Sequence, residues 1–132
     1  MTENATSPTI STSRDAFDLW LTMWNGEGAL ARTLCADDFR IHFAVTEVDG
    51  STPADEIRTA DDFAKYLEWW HGTHPDVVFT NISDAIDGKH GRLIWDMTAG
   101  DIHIGGVDVF DFDDDGRVSR VWSVGGQRSM VS

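Results

Sequence analysis

Cysteine is nearly missing from the sequence. Cys35 is the only one, which excludes an intrachain disulfide and a four-cysteine zinc site. A lone thiol suits a reducing compartment, so the cytoplasm is the expected location. Basic residues are scarce too: ten Lys and Arg face 23 Asp and Glu, a net charge of -13, which repels nucleic-acid phosphates and anionic membrane surfaces alike. Neither nucleic acid nor membrane is an expected partner. No apolar run approaches the roughly 18 to 20 residues that cross a bilayer. The Thr-, Ser- and Asn-rich residues 1–12 lack the basic start and apolar stretch of a secretory signal. They read as a flexible tail ahead of a single domain, residues 13–132.

What is present suffices for a core. At 132 residues and 41% hydrophobic content, folding hides roughly two thirds of the unfolded surface without metal or disulfide staples. Phe17, Trp20, Leu21 and Trp24 recur at i, i+3, i+4 and i+7, the stripe of a helix starting near Arg14 with Thr12 or Ser13 as cap. Asn25, Gly26 and Gly28 break it, and Ala29 to Cys35 reads as a short second helix. From Phe39 the period changes to two, with Phe39, Ile41, Phe43 and Val45 alternating with Arg40, His42 and Ala44, as in a half-buried strand. Residues 46–58 read as loop or a short edge strand. A third helix follows, capped by Thr59 with Asp62 three residues on, carrying Phe63, Tyr66, Leu67 and Trp70 on one stripe and stopping at His71-Gly72. Four strands complete the chain, 77–83, 92–99, 102–112 and 117–124, separated by Asp87-Gly88, Gly100 and Asp115-Gly116 turns. Connections this short suit antiparallel neighbours. The order, helices and then a meander, predicts one α+β domain.

These segments resemble a family. Met23-Trp24-Asn25-Gly26, Ala36-Asp37-Asp38-Phe39, His74-Pro75-Asp76, Gly106-Val107-Asp108-Val109-Phe110, Asp115-Gly116-Arg117-Val118 and Trp122 stand in an order and spacing similar to the nuclear transport factor 2-like superfamily. Within it, the chain resembles the SnoaL-like proteins related to polyketide cyclases, over roughly Arg14 to Val124. The resemblance implies a cystatin-like α+β barrel, in which three N-terminal helices pack on a strongly curved antiparallel sheet to form a cone with a pocket. Relatives include steroid isomerases, polyketide cyclases, epoxide hydrolases, dehydratases and proteins without catalysis, so function rests on the site.

Asp108 is the most informative position, a carboxylate within the apolar run Val107 to Phe112. By parity it shares a face with Phe110 and Phe112, and inside a cone desolvation would favour its neutral, hydrogen-bond-donating form. An aspartic acid at the matching position of the related ketosteroid isomerases is held neutral in that way. Two departures stand beside this likeness: Phe43 falls where those enzymes carry their proton-abstracting aspartate, and Trp20 near their oxyanion-donating tyrosine. His42 adjoins the missing base and is the second candidate catalytic residue, although its parity is opposite to that of Ile41 and Phe43. His103, Ser123 and Tyr66 are further candidates to converge on Asp108.

Trp20, Trp24, Phe43, Tyr66, Trp70, Trp95, Phe110 and Trp122 are expected to line the pocket and to suit a small apolar or aromatic ligand. No cofactor and no metal is expected. Asp111, Asp113, Asp115 and Gly116 open like a calcium loop, but Trp122 stands at its twelfth position where a bidentate Glu belongs, and a hairpin turn is the better reading. His71 and His74 lack a third ligand and read as a helix stop. Arg92 and Asp96 share a strand face without the spacing of the epoxide hydrolases' Asp-Arg-Asp arrangement, and Asp96 reads as a solvated or interface charge. Val107 and Val109 make the outer sheet face apolar, and a homodimer through it is expected. Two functions remain open: an isomerase, cyclase or dehydratase using Asp108 on an apolar carbonyl compound, and a ligand-binding or assembly module without turnover.

Overall fold

A computed structural model describes residues 13–131; the tail 1–12 and the side chains expected to cap the first helix lie outside the described residues. Among these, three helices, α1 (Ser13–Trp24), α2 (Ala31–Leu34) and α3 (Ala60–Thr73), precede or interleave five strands. The strands are β1 (Cys35–Phe43), β2 (Val78–Asp87), β3 (His90–Ala99), β4 (Ile102–Phe112) and β5 (Val118–Gly125). Short turns of 3-10 helix lie at Gly28–Leu30 and Pro53–Glu56.

The helices form where the stripes require. Phe17, Trp20, Leu21 and Trp24 of α1 are all buried against the sheet. In α3 the Thr59 hydroxyl accepts from the Asp62 amide at 2.9 Å, which caps the helix, and the Asp62 carboxylate accepts from the amide of Arg58, the residue before the cap, at 3.0 Å. Phe63 and Leu67 are fully buried, and Phe63 stacks on Phe39 of β1 with centroids 4.7 Å apart. The helix end is tied by its histidines: His71 meets the Trp24 carbonyl at 3.0 Å, while His74 stacks on Trp70 at 4.5 Å.

The sheet runs β1-β5-β4-β3-β2 and curls without closing. From β2 to β5 every neighbour is antiparallel, as the short turns demand. Gly88 and Gly100 open the two-residue hairpin loops with φ of 62° and 61°, a conformation that favours glycine. The first strand departs from expectation twice. It pairs parallel to β5, so the sheet is mixed, and the long path through α3 and the meander supplies the crossover a parallel pair needs. It also starts at Cys35 instead of Phe39, because the pair of exposed acids Asp37 and Asp38 and a register shift before Arg40 hide the period of two.

Two attachments close the ends of the sheet. Asn25, past α1, acts as a strand partner for edge strand β2: its Nδ2 donates to the Phe79 carbonyl at 2.9 Å and its Oδ1 accepts from the Phe79 amide at 2.7 Å. After β5 the chain folds beside β4, where the Gly105 amide donates to the Arg128 carbonyl at 2.8 Å. This segment corrects the reading of Asp96, which points outward as expected yet is 7% exposed and accepts from the Ser129 hydroxyl at 2.8 Å.

Candidate functional site

Between α1, α3 and the concave face of the sheet lies a cavity of about 220 Å³. Its inner end is walled by Trp20, Trp95, Asp108 and Ser123, all buried. Trp24, Phe43, Tyr66, Trp70 and Phe79 form its aromatic flanks. Its mouth is formed by the loop after β1, where Glu47, Ser51, Thr52, Pro53 and Asp55 join the lining.

Asp108 is the chemical centre of the inner end. Alternation along β4 turns it inward with Phe110 and Phe112, and it is 4% exposed. The indole of Trp20 donates to its Oδ2 at 3.0 Å, and the indole of Trp95 donates to its Oδ1 at 3.0 Å. Ser123, its register partner on β5, faces it and favours its carboxylate form. Burial pushes the Asp108 pKa up, and the bonds from Ser123, Trp95 and Trp20 pull against it without overcoming it. Indole nitrogens only donate, so both oxygens stay acceptors towards the tryptophans whatever the charge. The proton of the neutral acid therefore occupies a remaining lone pair, where it can be donated to Ser123 or to a molecule in the cavity.

Glycine makes this geometry possible. A Cβ on Gly106 would fall 2.1 to 2.6 Å from ring atoms of Trp95, so the indole crosses β4 only because that side chain is absent. Trp20 meets Phe110 edge-on at 5.1 Å, which fixes the second indole.

Most residues singled out from the sequence meet at this cavity: Trp20, Trp24, Phe43, Tyr66, Trp70 and Trp95 all line it together with Asp108. Phe110 lies beneath, fully buried against Trp20 and Phe17. Trp122 is a correction. In β5 it is Val121 and Ser123 that turn inward, and Trp122, 38% exposed on the outer face, packs under the Arg120 guanidinium at 5.8 Å. His42 is a second correction. It stacks on Trp122 at 5.8 Å and is absent from the cavity lining, so it cannot meet a molecule held at Asp108. Burial, with Arg120 and Arg40 nearby, lowers its pKa and keeps it neutral on that outer face.

Of the other candidates, Ser123 joins Asp108, and Tyr66 lines the cavity with its phenol pushed up to about 12 by burial and the charge of Glu47. His103 lies outside, 3.5 Å from Asp96. Arg92 donates to the Ser83 hydroxyl at 3.2 Å. The Asp113 carboxylate accepts from the Asp115 and Arg117 amides at 2.9 Å each, so the acidic run builds a turn. Cys35 is buried, which pushes its thiol pKa far up and leaves it unreactive. Sequence reasoning missed the mouth: residues 46–56 carry no period, and only the fold brings Glu47 and Asp55 over the aromatic flanks.

No curated protein sequence matches the chain significantly. Solved structures share its fold at low identity. A SnoaL-like protein of unknown function from Burkholderia thailandensis superposes with a TM-score of 0.71 at 17% identity, covering 91% of this chain and 99% of that one. A candidate isomerase of the SnoaL-like family from Agrobacterium tumefaciens gives 0.69 at 18% identity over 84% and 94% of the two chains. IdmH from Streptomyces antibioticus, a candidate polyketide cyclase, gives 0.66 at 15% identity over 85% and 90%. The SnoaL-like domain family itself matches residues 14–121, a span running from α1 through the cavity walls into β5, and the chain belongs to that family.

Proposed function

We propose that this protein binds a small, largely apolar carbonyl compound in the cavity and acts on it as an acid through Asp108, in an isomerisation, cyclisation or dehydration. One observation carries the reading: a buried carboxyl stands in an aromatic cavity, held above the ordinary carboxylate range by desolvation and fixed at both oxygens by indoles. Neutral Asp108 can hydrogen-bond a ligand carbonyl, and once it gives up the proton Trp20, Trp95 and Ser123 stabilise the carboxylate left behind. The isomerase and cyclase names among the structural neighbours support this class of chemistry.

The test is the pH dependence of binding of a ring ketone, 1-tetralone, compared with its parent hydrocarbon tetralin. The ketone is expected to bind about tenfold tighter below the ionisation of Asp108, equivalent to about 1.4 kcal/mol. That advantage disappears as pH rises through it, because a carboxylate cannot donate. In Asp108→Asn the preference should be independent of pH. A preference independent of pH in the wild type would overturn the reading.

A second reading, binding without turnover, is favoured by the absence of His42 from the cavity, which leaves no imidazole beside Asp108 among the described residues. Incubation of a bound ketone in deuterated buffer separates the two, since enolisation, with Asp108 giving its proton to the carbonyl oxygen and solvent taking the α-proton, exchanges the α-hydrogens and a binding module does not. We also infer that a second copy covers the outer sheet face, where Val109, Trp122 and Val124 are 45%, 38% and 53% exposed.

A further inference from the structure

The cavity also specifies which ligands it rejects. Besides the acid Asp108, its ionisable carboxylates are Glu47 and Asp55, and among the described residues no Lys, Arg or His lines it. Glu47 is half-buried, and its carboxylate is in no ion pair with a cation among the described residues. The paired cations lie elsewhere: Arg32 and Lys65 on Asp61, Lys89 on Asp114, Arg117 near Asp37. Glu47 reaches the interior electrostatically, since its charge helps hold the Tyr66 phenol protonated. The same cavity is lined by the rings of Trp24 and Trp70, perpendicular at 5.2 Å, whose electron-rich faces attract cations and repel anions.

Size sets the second limit. A cavity of roughly 150 Å³ accommodates a benzene, so about 220 Å³ takes one substituted ring or two fused rings. A four-ring skeleton would project well past Glu47 and Asp55 into solvent.

Resting on the reading of Asp108 as the carbonyl-binding acid, we propose that the ligand is a one- or two-ring carbonyl compound without negative charge. Its carbonyl lies at Asp108 and a neutral or ammonium-bearing end at the Glu47–Asp55 rim. Carboxylates, phosphates and phosphate-bearing carriers are excluded by the same groups.

Calorimetric titration of the full chain tests this with 1-tetralone, its carboxylate-substituted and aminomethyl-substituted derivatives, and the four-ring ketone progesterone. The neutral and ammonium compounds should bind, the carboxylate at least tenfold more weakly than 1-tetralone, and progesterone more weakly than 1-tetralone. The carboxylate penalty should shrink to about twofold in Glu47→Gln/Asp55→Asn, and shrink with added salt in the wild type, a readout that needs no variant. A carboxylate bound within twofold of 1-tetralone, or progesterone bound tightest, would overturn the ligand class. The acid reading would survive that result if binding still weakened as pH rose through Asp108 ionisation. Binding of none of the four would remove both.

Discussion

Asp108 sets the residue-scale energetics, because its two oxygens serve two indoles. Asn in its place keeps one acceptor and turns an amide N–H towards the other indole, leaving that donor unsatisfied. Asp108→Asn should therefore cost about 1 to 3 kcal/mol at low pH, measurable by urea denaturation. The sign of its pH dependence follows from linkage. The unfolded chain releases this proton near pH ~3.9, whereas the folded protein holds it to higher pH. The stability it contributes is fully present below the unfolded value and is lost as pH rises through the folded one. The stability gap between wild type and Asp108→Asn should thus narrow from pH 4 towards neutrality. A widening gap would mean that the folded protein prefers the carboxylate. Gly106→Ala drives a methyl into the Trp95 indole, and should cost about 1 to 3 kcal/mol by overpacking, with a change in tryptophan fluorescence as the indole leaves Asp108.

At the scale of elements, periodicity carried most of what was legible. The α1 and α3 stripes and the Thr59 cap stand where the sequence places them, and so do the four C-terminal strands except that β2 runs on to Asp87 and β3 starts at His90, because each is a local pattern read by neighbouring residues. What escaped was non-local. The parallel pairing of β1 with β5 depends on residues far apart in sequence, and Trp122 turns outward because Val121 and Ser123 share the inward parity of β5. Aromatic size suggested a pocket wall where alternation pointed to the outer face. Asn25 shows the same limit: it reads as a helix breaker, yet its side chain completes the edge of β2 with two backbone bonds. Asn25→Ala should cost about 1 to 3 kcal/mol by leaving those groups of Phe79 unpaired, and amide exchange at Phe79 should accelerate. Unchanged exchange there would show that the edge is held by other contacts.

For the whole molecule, the net charge of -13 opposes compaction through self-repulsion. Tm should rise on going from about 0.1 M salt, where charges interact over about 10 Å, to about 1 M, where the range is about 3 Å. A falling Tm would indicate that the exposed pairs of Arg32 and Lys65 with Asp61, and of Lys89 with Asp114, outweigh the repulsion. Sedimentation at micromolar concentration should give twice the mass of the chain, and Val109→Asp on the outer face should return it to one. A wild-type monomer would refute the proposed pairing.

Asp108 is held to carry its proton above the ordinary carboxylate range while facing a ligand. Infrared spectroscopy of protein with isotope-labelled aspartate reads this directly, by comparing the wild type with Asp108→Asn, with and without 1-tetralone. The expected result at a pH just above the ordinary carboxylate range is a protonated-carboxyl band that is present in the wild type, missing in the variant, and shifted to lower frequency when the ketone binds. A wild-type spectrum without that band, or with a band the ketone leaves unmoved, would contradict the proposed role of Asp108.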